Sequence, residues 1–437
     1  MREMKDSGVE WIGEIPQDWN VCKIKRIAEG LTDGTHGTYE RTSEGCLLLS
    51  AKNVFEDGLH IGENESLISE EDYKSIISNG FPRENDVLLC CVGTIGRCTV
   101  YKEKEPIAFQ RSVIFIRCNN RMLPSFLNYN LQSPSTLIQE KLSVNKSAQE
   151  GIYQRAVKEL QIVLPEIKQQ KWIIDYLDSK CSKIDESIEA HQAIIEKLKE
   201  YKLSVITEAV TKGINPNVEM KESGIEWIGK IPIKWNVGKT LYALSMPITD
   251  GPHETPELFD KGIPFVSAEA VSCGNGVIDF EHIRGYISQE FYEECCKKYV
   301  PQINDIYMIK SGATTGKVAI VDTDRKFAIW SPLAVFRCNP NKMNYMYLLY
   351  FLQSDVYQKQ VQDKWTYGTQ QNIGMRSLEK LFVCFPSLDE QRNIADYLNE
   401  QCIRIEKNIN ERKLIIQKLK EYKKSLIYEV VTGKKEV

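Results

Sequence analysis

The segment "KDSGVEWIGEIPQDWNV", Lys5 to Val21, returns as "KESGIEWIGKIPIKWNV", Lys221 to Val237, identical at 12 of 17 positions. Two Trp, two Gly and an Ile-Pro step recur in register 216 residues later. Outward from this pair the echo continues. "TDGTH" (Thr32 to His36) is answered by "TDGPH" (Thr249 to His253), and "ENDVLLCCVGTIGRCTV" by "INDIYMIKSGATTGKVAIV". "RCN" at Arg117 recurs at Arg337, "LQS" at Leu131 recurs at Leu352, and "IIEKLKEYK" from Ile194 returns as "IIQKLKEYK" from Ile415. The offset drifts only from 216 to 221. A repeat of that length is far above solenoid periods, so the chain folds one module twice.

Each copy has two textures. The first is a series of short β runs broken by Gly, Pro, Asn and Asp, such as "VLLCCVG", "SVIFIRCN" and "LQIVLP", matched by "IYMIKSG", "LAVFRCN" and "LFVCFP". A helical stretch, "LPSFLNYNLQSPSTLIQEKL", lies among them and matches "MNYMYLLYFLQSDVYQKQV". These parts read as α+β domains over 1–160 and 216–381. The second texture, over 161–215 and 382–437, is helical. From Glu166 to Thr211 there is no Gly or Pro, and apolar residues step at heptad-like intervals: Ile174, Leu177, Cys181, Ile184, Ile188, His191, Ile195, Leu198, Val205, Ala209. The second copy repeats the pattern at Leu398, Cys402, Ile405, Ile409, Ile416, Leu419, Leu426 and Val430. Alternating three- and four-residue steps predict a coiled-coil seam. Ser387 and Glu390 fit a capping box at the start of the second helix. The linker "KGINPNVEMKESG" leads straight into the second domain, so the two helices are expected to pack antiparallel about an approximate two-fold axis.

No apolar run approaches the roughly 18 to 20 residues that span a bilayer, and "MREMKDSGVE" lacks an apolar signal core. The expectation is a cytoplasmic protein without membrane contact. Thirteen Cys include no Cys-x-x-Cys pair, and the neighbours Cys90-Cys91 and Cys295-Cys296 lie in or beside apolar stretches. Buried reduced thiols are expected, and neither a metal nor a cofactor. The net charge of −4 argues against a protein that coats nucleic acid indiscriminately. It leaves room for a local basic face and for a partner that supplies further positive charge.

Catalytic patterns are missing from the sequence. "SGATTGKVAI" imitates a phosphate loop, but three residues separate Gly312 from Gly316 and Val318 stands where the metal-binding hydroxyl belongs. Its twin has Arg97 in place of Lys317, so two Gly-bounded turns between strands explain both. No Gly-x-Ser-x-Gly elbow, no Gly-rich cofactor turn and no Pro-Asp dipeptide occurs. The chain reads as a non-enzyme.

"SGVEWIGEIPQDW", "TDGTH", the Gly-x-x-Gly turn after an apolar strand, "LP…KQQKWIIDYL" and "FPSLDEQRNIADYL" together resemble the specificity subunit of type I restriction-modification systems. The resemblance covers essentially the whole chain in the family's order. It implies two target-recognition domains, each reading one half of a split target in double-stranded DNA. It also implies two helices that form an antiparallel coiled coil and scaffold two modification (methyltransferase) subunits. Those subunits would carry the cofactor and the adenine methylation, and restriction/translocase subunits would join the full complex. One departure is Gln169-Gln170, where the usual Glu-Gln pair appears in the second copy as Glu390-Gln391.

Reading bases requires donors and acceptors on loops or helix starts, with cations on phosphates. The loop "VNKSAQEGIYQR" supplies Lys146, Gln149, Gln154 and Arg155; its counterpart "KWTYGTQQNIGMR" supplies Lys364, Tyr367, Gln370, Gln371, Asn372 and Arg376. Both precede the final strand of their domain. Lys52, Arg97 and Arg111 in the first domain, and Lys310 and Lys317 in the second, are candidate phosphate contacts. In "TDGTH" and "TDGPH" the Asp-Gly pair favours a tight turn, with DNA contact by His36 and His253 as the alternative. A rival of another class is a coiled-coil protein adaptor without DNA binding, which fits the acidic balance but leaves the matched amide-rich loops unexplained.

Overall fold

The computed structural model describes residues 2–144, 151–367 and 371–437. They form two compact units, Met1–Gln192 with Lys413–Val437, and Ala193–Arg412. The helices in chain order are α1 (Glu70–Asn79), α2 (Pro124–Gln132), α3 (Pro134–Leu142), α4 (Gln154–Glu159), α5 (Ile167–Lys212), α6 (Ala268–Cys273), α7 (Gln289–Lys298), α8 (Tyr345–Gln353), α9 (Asp355–Asp363), α10 (Met375–Lys380) and α11 (Leu388–Val431).

In the first unit the opening segment forms a hairpin, Met4–Asp6 against Glu14–Pro16. The chain then enters strand Asn20–Lys23, which pairs antiparallel with Gln161–Leu164, the last strand of the domain. The segment that is echoed therefore closes the domain on itself. A four-stranded sheet runs in the order Cys98–Val100, Val87–Cys90, Val113–Cys118, Ala28–Asp33. A three-stranded sheet joins Ala108–Phe109, Cys46–Leu49 and Leu67–Ile68.

The second unit repeats this plan. Met220–Glu222 pairs with Lys230–Pro232, and Asn236–Lys239 pairs with Phe382–Phe385. Its four-stranded sheet follows Thr249–Asp250, Leu333–Phe336, Ile306–Ile309, Val318–Ile320. The central strands of both sheets are buried on both faces, which is why they read as continuous apolar runs rather than alternating ones.

Several echoed residues serve this plan directly. Arg117 clamps Asp86 with two hydrogen bonds of 3.0 and 2.7 Å, and Arg337 clamps Asp305 with two of 2.7 Å. Each Asp is buried and follows an Asn in the left-handed region, Asn85 at φ 72° and Asn304 at φ 72°. Asn tolerates that conformation better than most residues, which explains the repeated Asn-Asp pair. Gln139 on α3 bridges to the last strand through Gln161, and Gln360 on α9 does the same through Phe382.

The helical stretch expected between the strands divides in two. α2 ends and α3 starts at the buried Ser133, where Pro134 excludes helical geometry for the residue before it. In the second copy Asp355 replaces that proline, and the Ser354 hydroxyl caps α9 by accepting from the Tyr357 N–H.

The expected long helices are α5, 46 residues, and α11, 44 residues. In the first unit Leu177, Cys181, Ile184 and Ile188 of α5 share a core with Leu426, Ile427 and Val430 of α11. In the second unit Ile206, Ala209 and Val210 share one with Ile394, Leu398 and Cys402. Within the first unit Asp185 pairs with Lys423 at 2.8 Å, and within the second Lys202 pairs with Glu406 at 2.7 Å. Later positions in α5 thus meet earlier ones in α11, the order of an antiparallel pair. At the start of α11 the Ser387 hydroxyl accepts from the Glu390 N–H at 3.3 Å, the first half of the expected capping box.

All thirteen cysteines are free thiols. Cys90 and Cys91 are buried, and burial pushes their thiols up to about 11 and about 12. Cys295 and Cys296 are only half-buried. Among the described residues, no helix is long and apolar enough to cross a membrane, and no group of His, Cys, Asp and Glu is arranged to hold a metal ion.

Candidate nucleic-acid interface

In each domain the sheet brings together three segments that are remote in sequence: the Thr-Asp-Gly strand end, the Gly-x-x-Gly turn, and the loop before the last strand. In the first domain Gln154 donates from Nε2 to Asp33 Oδ1 at 2.7 Å. The Ile152 N–H donates to the Cys91 carbonyl at 2.8 Å, and the Arg111 N–H to the Thr35 carbonyl at 2.9 Å. In the second domain the Gly312 N–H donates to the Gln371 carbonyl at 3.0 Å, and the Ile373 N–H to the Lys310 carbonyl at 2.9 Å.

The Asp-Gly pair has a different use from the turn-building that its composition suggests. Gly34 and Gly251 sit with their Cα atoms directly against backbone, at Phe109–Gln110 and Ile329–Trp330, where a Cβ would collide with carbonyl oxygens. Each glycine is therefore fixed by space, and each Asp before it is delivered to the same place. Asp33 holds Gln154 and, at 2.9 Å, His36. Asp250, fully buried, holds His253 at 3.1 Å, Lys310 at 3.2 Å and Lys298. Burial works to raise the Asp250 carboxyl, but the hydrogen bond from Lys298 and the charge of Lys310 outweigh it and keep it low.

The candidate readers are placed as follows. Arg111 is exposed beside the Thr-Asp-Gly strand end, and its guanidinium has no ion-pair partner among the described residues. Gln154 is tied to Asp33, and Arg155 is exposed at the start of α4. Arg97 is half-buried: it donates to the Val54 carbonyl at 3.1 Å and stacks on Phe55 at 4.6 Å. Lys52 pairs with Glu65 at 2.8 Å, and this hydrogen bond holds the Glu65 carboxyl below its ordinary value. Lys310 is largely buried against Asp250, whereas Lys317 is exposed. Lys364 pairs with its neighbour Asp363 at 2.9 Å. Thr366–Tyr367 and Gln371–Asn372 form a short hairpin that carries Gln371 and the exposed Asn372 against the Gly-x-x-Gly turn. Arg376 is exposed at the start of α10. Lys146, Gln149 and Gln370 lie outside the described residues, as does the side chain of Tyr367.

Sequence reasoning passed over Asp33 and Asp250, although both stand in the echoed motif and organise these faces. It also passed over Lys298, whose signal was the basic last turn of α7.

One α+β domain present twice, each copy with the same three segments at one place, defines a duplicated two-domain protein built on long helices. The chain belongs to the type I restriction modification DNA specificity family, whose sequence profile matches residues 16–200 and 252–413. It is similar to the putative type I restriction enzyme MjaX specificity subunit of Methanocaldococcus jannaschii, 26% identical over 97% of this chain and 95% of that protein. The MjaVIII specificity subunit of the same organism is 22% identical, over 96% of this chain and 93% of the relative. A solved structure concerned with complex assembly and conformational transition of the type I R-M system shares the fold. It superposes with a TM-score of 0.67 at 15% identity, covering 95% of this chain and 98% of the other.

Proposed function

We propose that this chain is the non-catalytic, sequence-reading subunit of a type I restriction-modification complex. Each domain reads one half of a bipartite target in double-stranded DNA, and α5 and α11 scaffold two modification (methyltransferase) subunits, with restriction/translocase subunits completing the assembly in the cytoplasm. The observation that supports this best is the matched face of the two domains. Amide and cationic side chains stand there on loops, a helix start and a short hairpin that pack beside the sheet: Arg111, Gln154 and Arg155 in one copy, Lys317, Gln371 and Asn372 in the other. Amides can make paired hydrogen bonds to base edges, and exposed Arg and Lys can take phosphates. Such contacts need a rigid platform, and the ties to half-buried Asp33 and buried Asp250 supply one.

The test is to sequence host DNA for N6-methyladenine with and without this gene, and to measure binding of mixed duplexes with and without the modification partner. The expected results are a split motif that disappears with the gene, and an affinity that rises when the partner is present, because the chain alone carries a net charge of −4. A methylation pattern independent of the gene, with no duplex binding by the assembled complex, would favour the protein adaptor instead.

A further inference from the structure

Glu140 on α3 is almost wholly buried, with 1% of its surface exposed, and neither of its carboxyl oxygens has a hydrogen-bond partner among the described residues. It is pressed against the Gly-x-x-Gly turn of the first domain. A Cβ built on Gly96 would stand 2.5 Å from Glu140 Oε2 and 2.7 Å from Leu137 Cδ2. In the second domain the counterpart glycine, Gly316, meets Gln358 of α9, whose Nε2 donates to the Gly316 carbonyl at 2.9 Å.

The two copies align at "LQS", which sets Leu137 opposite Gln358 and Glu140 opposite Val361. A polar and an aliphatic residue have exchanged places across one helical turn. Neither position is kept, yet each domain retains one polar group against its turn glycine. A neutral carboxyl carries an O–H and can donate as the Gln358 amide does; a carboxylate cannot.

We infer that Glu140 is the positioning residue of the Gly93–Gly96 turn, the first domain's replacement for Gln358, and that its ionisation releases the turn and weakens reading of the first half-site. Burial pushes the Glu140 carboxyl up to about 8, so it is protonated at neutral pH. Among the described residues, the titratable groups that face it offer no compensation. Cys90 and Cys98 come from the adjoining strands with thiols that burial raises. Arg97 on the turn is committed to the Val54 carbonyl and Phe55, and Lys141 on α3 itself is exposed. An ionised Glu140 would be a buried, unpaired charge, and its cheapest relief is entry of water as the turn lifts. The same turn carries Val92, which bridges to Gly151 at the loop before the last strand, so the displacement would reach the proposed DNA face.

This inference rests on the reading of that face as DNA-binding, and two measurements separate the failures. The first is hydrogen exchange of the peptide around Cys91–Thr99 in the full chain between pH 7 and pH 9, corrected for intrinsic rates and compared with that around Lys310–Val318. Exchange should rise above pH 8 in the first peptide alone. Glu140→Gln should abolish the rise, and the double variant Leu137→Gln/Glu140→Val, which rebuilds the arrangement of the second domain, should abolish it too. The second is binding of the methylated motif's duplex by the complex with its modification partner. Affinity should fall about tenfold from pH 7 to pH 9 in the wild type, as expected for one proton lost at about pH 8. It should stay level in both variants, and Glu140→Val alone should bind weakly throughout. Exchange that is the same in wild type and Glu140→Gln overturns the inference. An exchange contrast without target binding at any pH supports the brace and refutes the DNA reading.

Discussion

The residues that distinguish the two copies are as informative as those that repeat. Arg337 and Arg117 are repeated cations that hold buried carboxylates. Arg337→Ala should leave Asp305 as an uncompensated buried charge and cost about 3–5 kcal/mol in urea unfolding. Arg337→Lys should recover only part of that, since an ammonium cannot make the paired contact. Arg111 has no ion-pair partner among the described residues, and Arg111→Ala should weaken duplex binding and reduce the slope of log affinity against log salt by about one. Lys52→Ala should change that slope little, because its ammonium is already held by Glu65. Glu140 carries a stability prediction as well. Its carboxyl sits at about 8 in the folded chain against an ordinary value of 4.5, so the native state keeps a proton that the unfolded chain loses. Stability therefore falls as pH rises from about 4.5 to 8. Glu140→Gln should remove that slope and stabilise the chain by about 1–3 kcal/mol near pH 7.5, with little gain at pH 4.

Among the elements, the starts of the two long helices show how a local departure can be harmless. The pair Gln169-Gln170 differs from Glu390-Gln391 only at its first position. The second Gln carries the structure in both copies. Gln170 accepts from the Leu123 N–H at 2.8 Å and donates to the Arg121 and Pro165 carbonyls; Gln391 accepts from the Asn344 N–H at 2.7 Å and donates to the Lys342 and Pro386 carbonyls. Each fully buried Gln fastens its long helix to the loop before α2 or α8. Gln391→Ala should strand several backbone groups and cost about 2–4 kcal/mol, measured by thermal or urea unfolding. Glu390→Gln, which reproduces the first copy, should cost little. The seam was legible for a related reason: heptad steps place Leu177, Ile184, Leu398 and Ile409 on one stripe whatever the helix packs against, and all four are buried. The break between α2 and α3 was marked by Pro134, but its counterpart at Ser354 has no such marker.

At the scale of the whole molecule the duplication carries the functional argument. Two copies of one domain, each with its own reading face, should act on separate half-sites. Exchanging residues 216–381 for the corresponding domain of a relative should change one half of the methylated motif and leave the other intact, as read by sequencing N6-methyladenine in a host carrying the chimera. A change in both halves would show that the domains do not read independently.

The amino-acid sequence by itself determined the duplication, the α+β texture of each copy, the two long helices with their seam, and the family resemblance. Repeats and heptad periods are properties of the chain in one dimension, and no fold is needed to see them. What the tertiary structure alone decided is which polar residues meet. Asp33 and Gln154 are 121 positions apart, and only the order and register of the four-stranded sheet set them 2.7 Å from each other. The same register separates candidates of one charge: among the described residues Arg111 is left without an ion-pair partner, Lys52 is consumed by Glu65, and Lys310 is drawn inward to Asp250. Glu140, one more charged residue on an amphipathic helix in the sequence, is a buried acid with no hydrogen-bond partner among the described residues, because α3 packs it beneath a glycine that leaves it just enough room.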